Sequence, residues 1–200
     1  MTKLLLIRHA TTNSVGKRLS GRTPGVFLNE EGKRQAQQLA QRLTQVPLAA
    51  LYTSPLERTV QTAEYIARAQ QLQPIIDKSF LELDFGDWTN LAFEELGSNP
   101  EFQRFNTFRS VTRIPGGEMM LEAQARFMAG LQKLCLKHPH ETVAVVSHSD
   151  LIKAAVAYYA GTPLDMFQRL EISPASVSMI QVYAETARIL VVNDTGSLTG

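Results

Sequence analysis

Arg8 and His9 stand side by side where the short apolar run 3–7, KLLLI, comes to an end. Ser54 and Arg58 follow a second such run, AALYT at 49–53, and Ser147 and His148 follow a third at 143–146. Guanidinium groups bind phosphate or carboxylate oxygens through paired, charge-assisted hydrogen bonds. A neutral imidazole adds a nucleophile that can attack phosphorus and later leave, because its pKa lies near neutrality. Together these residue types point to anion binding followed by group transfer through histidine.

The elements that must position these groups are legible in outline. Residues 3–7 read as a strand covered on both faces, and 49–53, 75–77 and 143–146 as further strands. Ala36, Leu39, Ala40 and Leu43 give 29–43 a helical apolar face. A second helix at 55–69 is signalled by "SPLE", with Ser54 as cap, Pro55 in the first position and Glu57 completing a capping box. Helices are also expected at 118–136 and 150–160, and 177–183 with 188–192 alternate like a hairpin at a sheet edge. The segment 10–28 is a long loop, 89–117 an irregular excursion of short helices, and Trp88 a packing anchor. Strands alternating with helices imply an α/β fold, a three-layer α/β/α sandwich. Its mostly parallel central sheet carries helices on both faces and one antiparallel edge strand or C-terminal hairpin. Ligands bind such sheets beyond the carboxyl ends of the strands, which brings Arg8, His9, Ser54, Arg58, Ser147 and His148 to one edge.

Composition narrows the function classes. Two hundred residues with 44% hydrophobic content suit a single domain over 1–200. Twenty basic against 19 acidic residues leave a net charge of +1, so no global field draws nucleic acid or an anionic membrane. Cys135 stands alone, which excludes an internal disulfide and a thiolate zinc cluster and suits the reducing cytoplasm. No run approaches the ~20 apolar residues of a membrane span, and no signal-peptide pattern opens the chain. His138 and His140, flanking a proline, read as solvated loop residues rather than metal ligands.

"LLLIRHATT" at 4–12 resembles the Arg-His-Gly-x-Thr opening of the histidine phosphatase superfamily, also called phosphoglycerate-mutase-like. "SGRTPGVFLNEEGKRQA", "TSPLERTVQTAE", "LELDFGDW", "PGGE" and "VVSHSD" resemble the family's later motifs in the same order, over nearly the whole chain. The resemblance implies that His9 is the nucleophile that becomes phosphorylated and that Arg8, Arg58 and His148 hold the phosphoryl oxygens. It implies Glu82, by register over Asp84, as the proton donor. Thr12, Ser20, Gly21 and Ser149 complete the expected phosphate and substrate contacts, with no metal and no cofactor. The chain departs from the pattern at Ala10, where glycine is usual. Asn13 comes early and Val15 occupies the usual asparagine spacing, so Ser20 is the expected substitute. Ser149 and Asp150 stand where glycines are common, and an inward-pointing Asp150 would favour the imidazolium of His148.

The function so implied is a metal-independent phosphomonoester hydrolase acting on a small phosphate ester, with no nucleic-acid or membrane partner and a homodimer open through the C-terminal edge. The first alternative is a cofactor-dependent phosphoglycerate mutase, whose longer family chains carry an arginine-rich, tyrosine-containing segment that has no counterpart here. The second is a catalytically silent phospho-ligand-binding protein, against which the presence of both His9 and Glu82 argues. Arg104, Arg109 and Arg113 either grip a charged substrate tail or lie solvated.

Overall fold

Alternating apolar side chains on each central strand feed two separate cores, one on either face of a six-stranded sheet. The computed structural model describes residues 1–196. Residues 197–200, assigned from sequence to the same domain, lie outside the described residues. Along the chain the elements are β1 (Thr2–Arg8), α1 (Glu30–Leu43), β2 (Ala50–Thr53), α2 (Glu57–Gln70), β3 (Pro74–Ile76), α3 (Phe93–Gly97) and α4 (Pro100–Thr107). They continue with α5 (Met120–Lys137), β4 (Thr142–Ser147), α6 (Ser149–Ala160), β5 (Val177–Val182) and β6 (Ala187–Asp194). Short 3-10 turns occupy Lys78–Phe80, Gly86–Trp88 and Leu164–Arg169.

The strand order is β3-β2-β4-β1-β5-β6. Pairs β1/β4, β2/β4 and β2/β3 are parallel, whereas β5 and β6 add antiparallel as a hairpin beside β1. Leu4, Leu6, Tyr52, Val143 and Val145 pack toward Phe127 and Leu131 of α5 and Leu151 and Ala155 of α6. Their neighbours Leu5, Ile7, Leu51, Ala144 and Val146 pack toward Ala36 and Leu39 of α1 and Ala63 and Ile66 of α2. Each of the Leu, Ile, Val and Phe side chains among them, fully buried, is worth roughly 1.5–3 kcal/mol. The α/β sandwich, the helices on both faces and the edge hairpin are as the sequence predicts.

Register decides where the chemistry falls. Arg8 lies beside Ser147, and Ile7 and Thr53 both lie beside Val146, so β1, β2 and β4 end at one level. Backbone bonds continue that alignment past the strands, from His9 N–H to the Ser147 carbonyl (2.9 Å) and from Ser54 N–H to the Val146 carbonyl (3.0 Å). Asn29 caps α1 through the Gly32 N–H at 2.8 Å.

The expected start of the second helix is corrected. It begins at Glu57, with Leu56 as an N-cap that makes no side-chain bond. Both supposed capping groups are used elsewhere: Ser54 Oγ meets His148, and Glu57 Oε1 accepts the Gly25 N–H at 2.9 Å. The 10–28 loop has no helix or strand of its own and is zipped to the excursion by bonds between Leu19 and Leu91, Asn90 and Leu19, and Phe93 and Lys17. Trp88 is buried against Phe102 and Phe105, edge to face, as an anchor should be.

Candidate active site

At the carboxyl edge of the sheet a cavity of about 210 Å3 is lined by Arg8, His9, Thr12, Ser20, Gly21, Arg58, Glu82 and Ser149. The structure thus gathers the residues expected from sequence, with His148 fully buried against Arg58. Ser14, Arg18, Phe85 and Phe93 also line the cavity and were not anticipated as site residues. Arg18 and Phe93 reach it only because the 10–28 loop is tied to the excursion, a pairing with no local sequence signal. Asn13, turned outward, contacts Asn29 instead, while Ser14 and Val15 face the cavity.

His9 Nδ1 lies 2.8 Å from the Ala10 carbonyl, which requires a proton on Nδ1. Nε2 therefore carries the lone pair, and Arg58 Nε donates to it at 3.3 Å. Burial, then the positive charges of Arg58 and Arg8, hold the His9 pKa well below the usual histidine value, so the imidazole is neutral. Ala10 replaces glycine without strain, since it is absent from the residues with positive φ and is fully buried. Gly21 does need its freedom: it has φ +49, and its carbonyl accepts from Arg58 Nη2 at 2.8 Å.

Arg58 is 2% exposed and bridges both imidazoles, reaching His148 Nδ1 at 3.3 Å through Nη2. His148 Nε2 in turn donates to Ser54 Oγ at 2.9 Å. The rings of His9 and His148 meet edge to face, 5.4 Å apart. Arg58 Nη1 and Arg8 Nε are buried without a hydrogen-bond partner among the described residues, and unpaired buried donors of this kind are what an anion would satisfy.

Glu82 reaches the same centre, with Oε2 3.6 Å from His148 Nδ1 and Oε1 accepting the Leu83 N–H. Burial chiefly, with the negative charge of Asp150 second, pushes its pKa up to about 7, against the opposing pull of Arg58, the Leu83 N–H and Arg8. Asp84 takes a different position, paired with Arg22 at 3.2 Å. The Glu82 loop is clamped from behind: Arg126 donates to the carbonyls of Ser79 and Leu81, Arg22 Nε donates to that of Glu82, and Glu118 binds both arginines.

The family model described as histidine phosphatase superfamily, branch 1, matches residues 4–195. The chain belongs to this superfamily. As a member it is a phosphatase of the histidine type. A protein named phosphoserine phosphatase 1, of Hydrogenobacter thermophilus, is 35% identical over 199 residues, covering 98% of this chain and 93% of that one. A probable phosphoglycerate mutase, GpmB of Proteus mirabilis, is 33% identical over 184 residues, covering 90% of this chain and 85% of its own. Among solved structures, YhfR of Bacillus stearothermophilus superimposes with a TM-score of 0.90 at 31% identity, covering 97% of this chain and 98% of that one.

Within this histidine phosphatase, Asp150 acts differently from the sequence expectation. It lines the cavity, yet burial and the neighbouring cations hold His148 well below its usual pKa, so the imidazolium is not favoured. Its carboxylate pairs instead with Arg109 at 2.8 Å. Arg113 pairs with Glu122 on the surface and Arg104 is exposed, so neither reaches the cavity. His138 is more engaged than a solvated loop residue, bonding Tyr52 and Glu141 at the far end of the sheet. Among the described residues no cluster of His, Cys, Asp or Glu has metal-binding geometry, and no helix is long and apolar enough to cross a membrane.

Proposed function

We propose that this phosphatase hydrolyses monoesters of small alcohols through a phosphohistidine at Nε2 of His9. The observation that carries the reading is the His9 tautomer. With Nδ1–H committed to the Ala10 carbonyl, the unprotonated Nε2 faces the cavity beside Arg58. In the first step Nε2 attacks phosphorus, the bond from phosphorus to the alkoxy oxygen breaks, and the Glu82 carboxyl proton passes to the leaving oxygen. In the second step water attacks phosphorus, its proton goes to the Glu82 carboxylate, and the phosphorus–nitrogen bond breaks. Arg8, Arg58 and His148 hold the non-bridging oxygens, where charge spreads in the transition state. Thr12, Ser20, Gly21 and Ser149 line the cavity where the phosphate and the start of the alcohol would lie.

A cavity of about 210 Å3 suits an alcohol of a few heavy atoms. Phosphoserine, the substrate in the name of the Hydrogenobacter relative, is of that size. The whole chain 1–200 is read as one catalytic domain, with 89–117 forming a wall of the substrate site. The lone Cys135 is consistent with a cytoplasmic setting.

The test is phosphate release from phosphoserine, 3-phosphoglycerate and p-nitrophenyl phosphate in EDTA, for wild type and His9→Ala, with acid-labile phosphoprotein trapped in parallel. Release together with a His9-dependent phosphoprotein is expected. Isomerisation of phosphoglycerate without release would instead make the chain a mutase. A folded wild type that releases nothing would refute the reading.

A further inference from the structure

Asp150, the second residue of α6, lines the same cavity as His9 and Glu82. Oδ2 accepts from Arg109 Nη1 at 2.8 Å, while among the described residues no donor engages Oδ1. Arg109 is 4% exposed and fixed from three sides. Its guanidinium lies 4.4 Å from the Phe105 ring centre and 4.6 Å from that of Phe167, and Nη2 donates to Asn106 Oδ1 at 2.6 Å. It does not line the cavity. A buried guanidinium bonded to the carboxylate holds it in one orientation. The arrangement is built from α4, the segment after it, the 3-10 turn Leu164–Arg169 and α6, and beyond the charge of Asp150 on Glu82 it serves no step of the hydrolysis described above.

Position decides what the free oxygen can do. Arg8, His9, Arg58 and His148 occupy the phosphate end, and Glu82 serves the leaving oxygen. Asp150 lines the same cavity but takes no part in the hydrogen bonds that join His9, Arg58 and His148, so it borders the space left to the alcohol. The cavity's other cation, Arg18, is exposed at the mouth and donates to the Asn90 carbonyl. We infer that Asp150 is a specificity-determining residue whose Oδ1 accepts from an ammonium or hydroxyl on the alcohol part of the ester. It thereby selects amino-alcohol phosphates over phosphates whose alcohol carries an acid at that place. Like charges brought together in a cavity are strongly discriminated against, and opposite ones are not.

This inference rests on the phosphatase reading, and one matched series separates the two. Phosphoethanolamine, 2-hydroxyethyl phosphate and 2-phosphoglycolate differ mainly in the charge at one end, and p-nitrophenyl phosphate reports hydrolysis itself. For the wild type kcat/KM should fall in the order ammonium, hydroxyl, carboxylate. Asp150 also influences Glu82, so Asp150→Asn will change all rates, but that common factor cancels in the ratio of phosphoethanolamine to 2-phosphoglycolate. The ratio is expected to fall tenfold or more. A smaller fall, or a wild type that prefers phosphoglycolate, overturns the role of Asp150 while hydrolysis of p-nitrophenyl phosphate leaves the phosphatase reading standing. No hydrolysis of any ester overturns both. Should Asp150→Asn fail to fold, the double variant Asp150→Ser with Arg109→Met removes the buried cation as well and reads the same ratio.

Discussion

Replacing Glu82 by Gln should stabilise the protein, and only at high pH. In the folded chain the carboxyl, with 13% of its side chain exposed, keeps its proton until about pH 7, whereas in the unfolded chain it ionises at its usual value near 4.5. Between these values unfolding releases a proton, so stability falls as pH rises, and the loss is complete above pH 7. At about 1.4 kcal/mol per pH unit the window amounts to about 3 kcal/mol. In Glu82→Gln the amide would mimic the protonated acid and keep the acceptor for the Leu83 N–H, with nothing left to ionise. The stability difference between the variant and the wild type should therefore be small at pH 4.5, climb by about 3 kcal/mol by pH 7.5, and then level. For a chain of this size that corresponds to roughly 6–12 °C in Tm. Urea titrations of both proteins across pH 4–9 measure it, and the titrations of His9 and His148 largely cancel because both proteins contain them. A difference that stays flat from pH 5 to pH 8 would refute the reasoning that burial and Asp150 hold this proton. The same variant should lose about 100- to 10,000-fold on alkyl phosphates, the range of general acid catalysis, and much less on p-nitrophenyl phosphate, whose leaving group needs no proton.

Arg126→Met removes the donors that hold the carbonyls of Ser79 and Leu81, so Glu82 should lose its aim. The expected result is a drop in kcat of about tenfold or more on alkyl phosphates with p-nitrophenyl phosphate little changed, since a 1 Å misplacement can cost that much. A Cβ at Gly32 would sit 1.9 Å from the Thr11 carbonyl oxygen, so Gly32→Ala should cost about 1–3 kcal/mol or more in chemical denaturation as α1 is pushed off the loop that follows β1. His9 and His148 have folded pKa values well below 6.5, so their contribution to stability is complete above pH 6.5 and is lost as pH falls below it. Denaturation midpoints should drop from pH 6.5 to pH 5, and His148→Gln should flatten that slope.

What could be read from the sequence was whatever depends on neighbours along the chain. The strands showed as apolar runs, α1 as a periodic apolar face, and Arg8, His9 and His148 as residues placed just past strand ends. Contacts that are distant in sequence left no such trace. "SPLE" reads locally as a capping box, yet His148 claims Ser54 from 94 residues away and Gly25 claims Glu57 from 32 away. The partner of Asp150 lies 41 residues upstream, and the clamp on Glu82 joins Arg22, Glu118 and Arg126 from three parts of the chain. Only family register favours Glu82 over Asp84 in the sequence; the physical reason, burial for one and a half-exposed ion pair with Arg22 for the other, exists only in the fold.

The arginines around the site divide into two kinds, and the division explains why only some of them present charge to a substrate. Arg22, Arg109 and Arg126 each lie within 4 Å of a carboxylate, so their charges are spent on holding Glu82 and Asp150 in place. Arg8 and Arg58 have no carboxylate that close among the described residues; Arg8 donates to the Ile172 carbonyl, and Arg58 to the Gly21 carbonyl and two neutral imidazoles. Carbonyls and imidazoles orient a guanidinium without cancelling it. Burial disfavours the charged form of both arginines, and that unfavourable field is relieved when a phosphate dianion enters. The same field that keeps His9 neutral thus draws in the group it attacks, and a carboxylate placed against Arg8 or Arg58 would weaken both effects together.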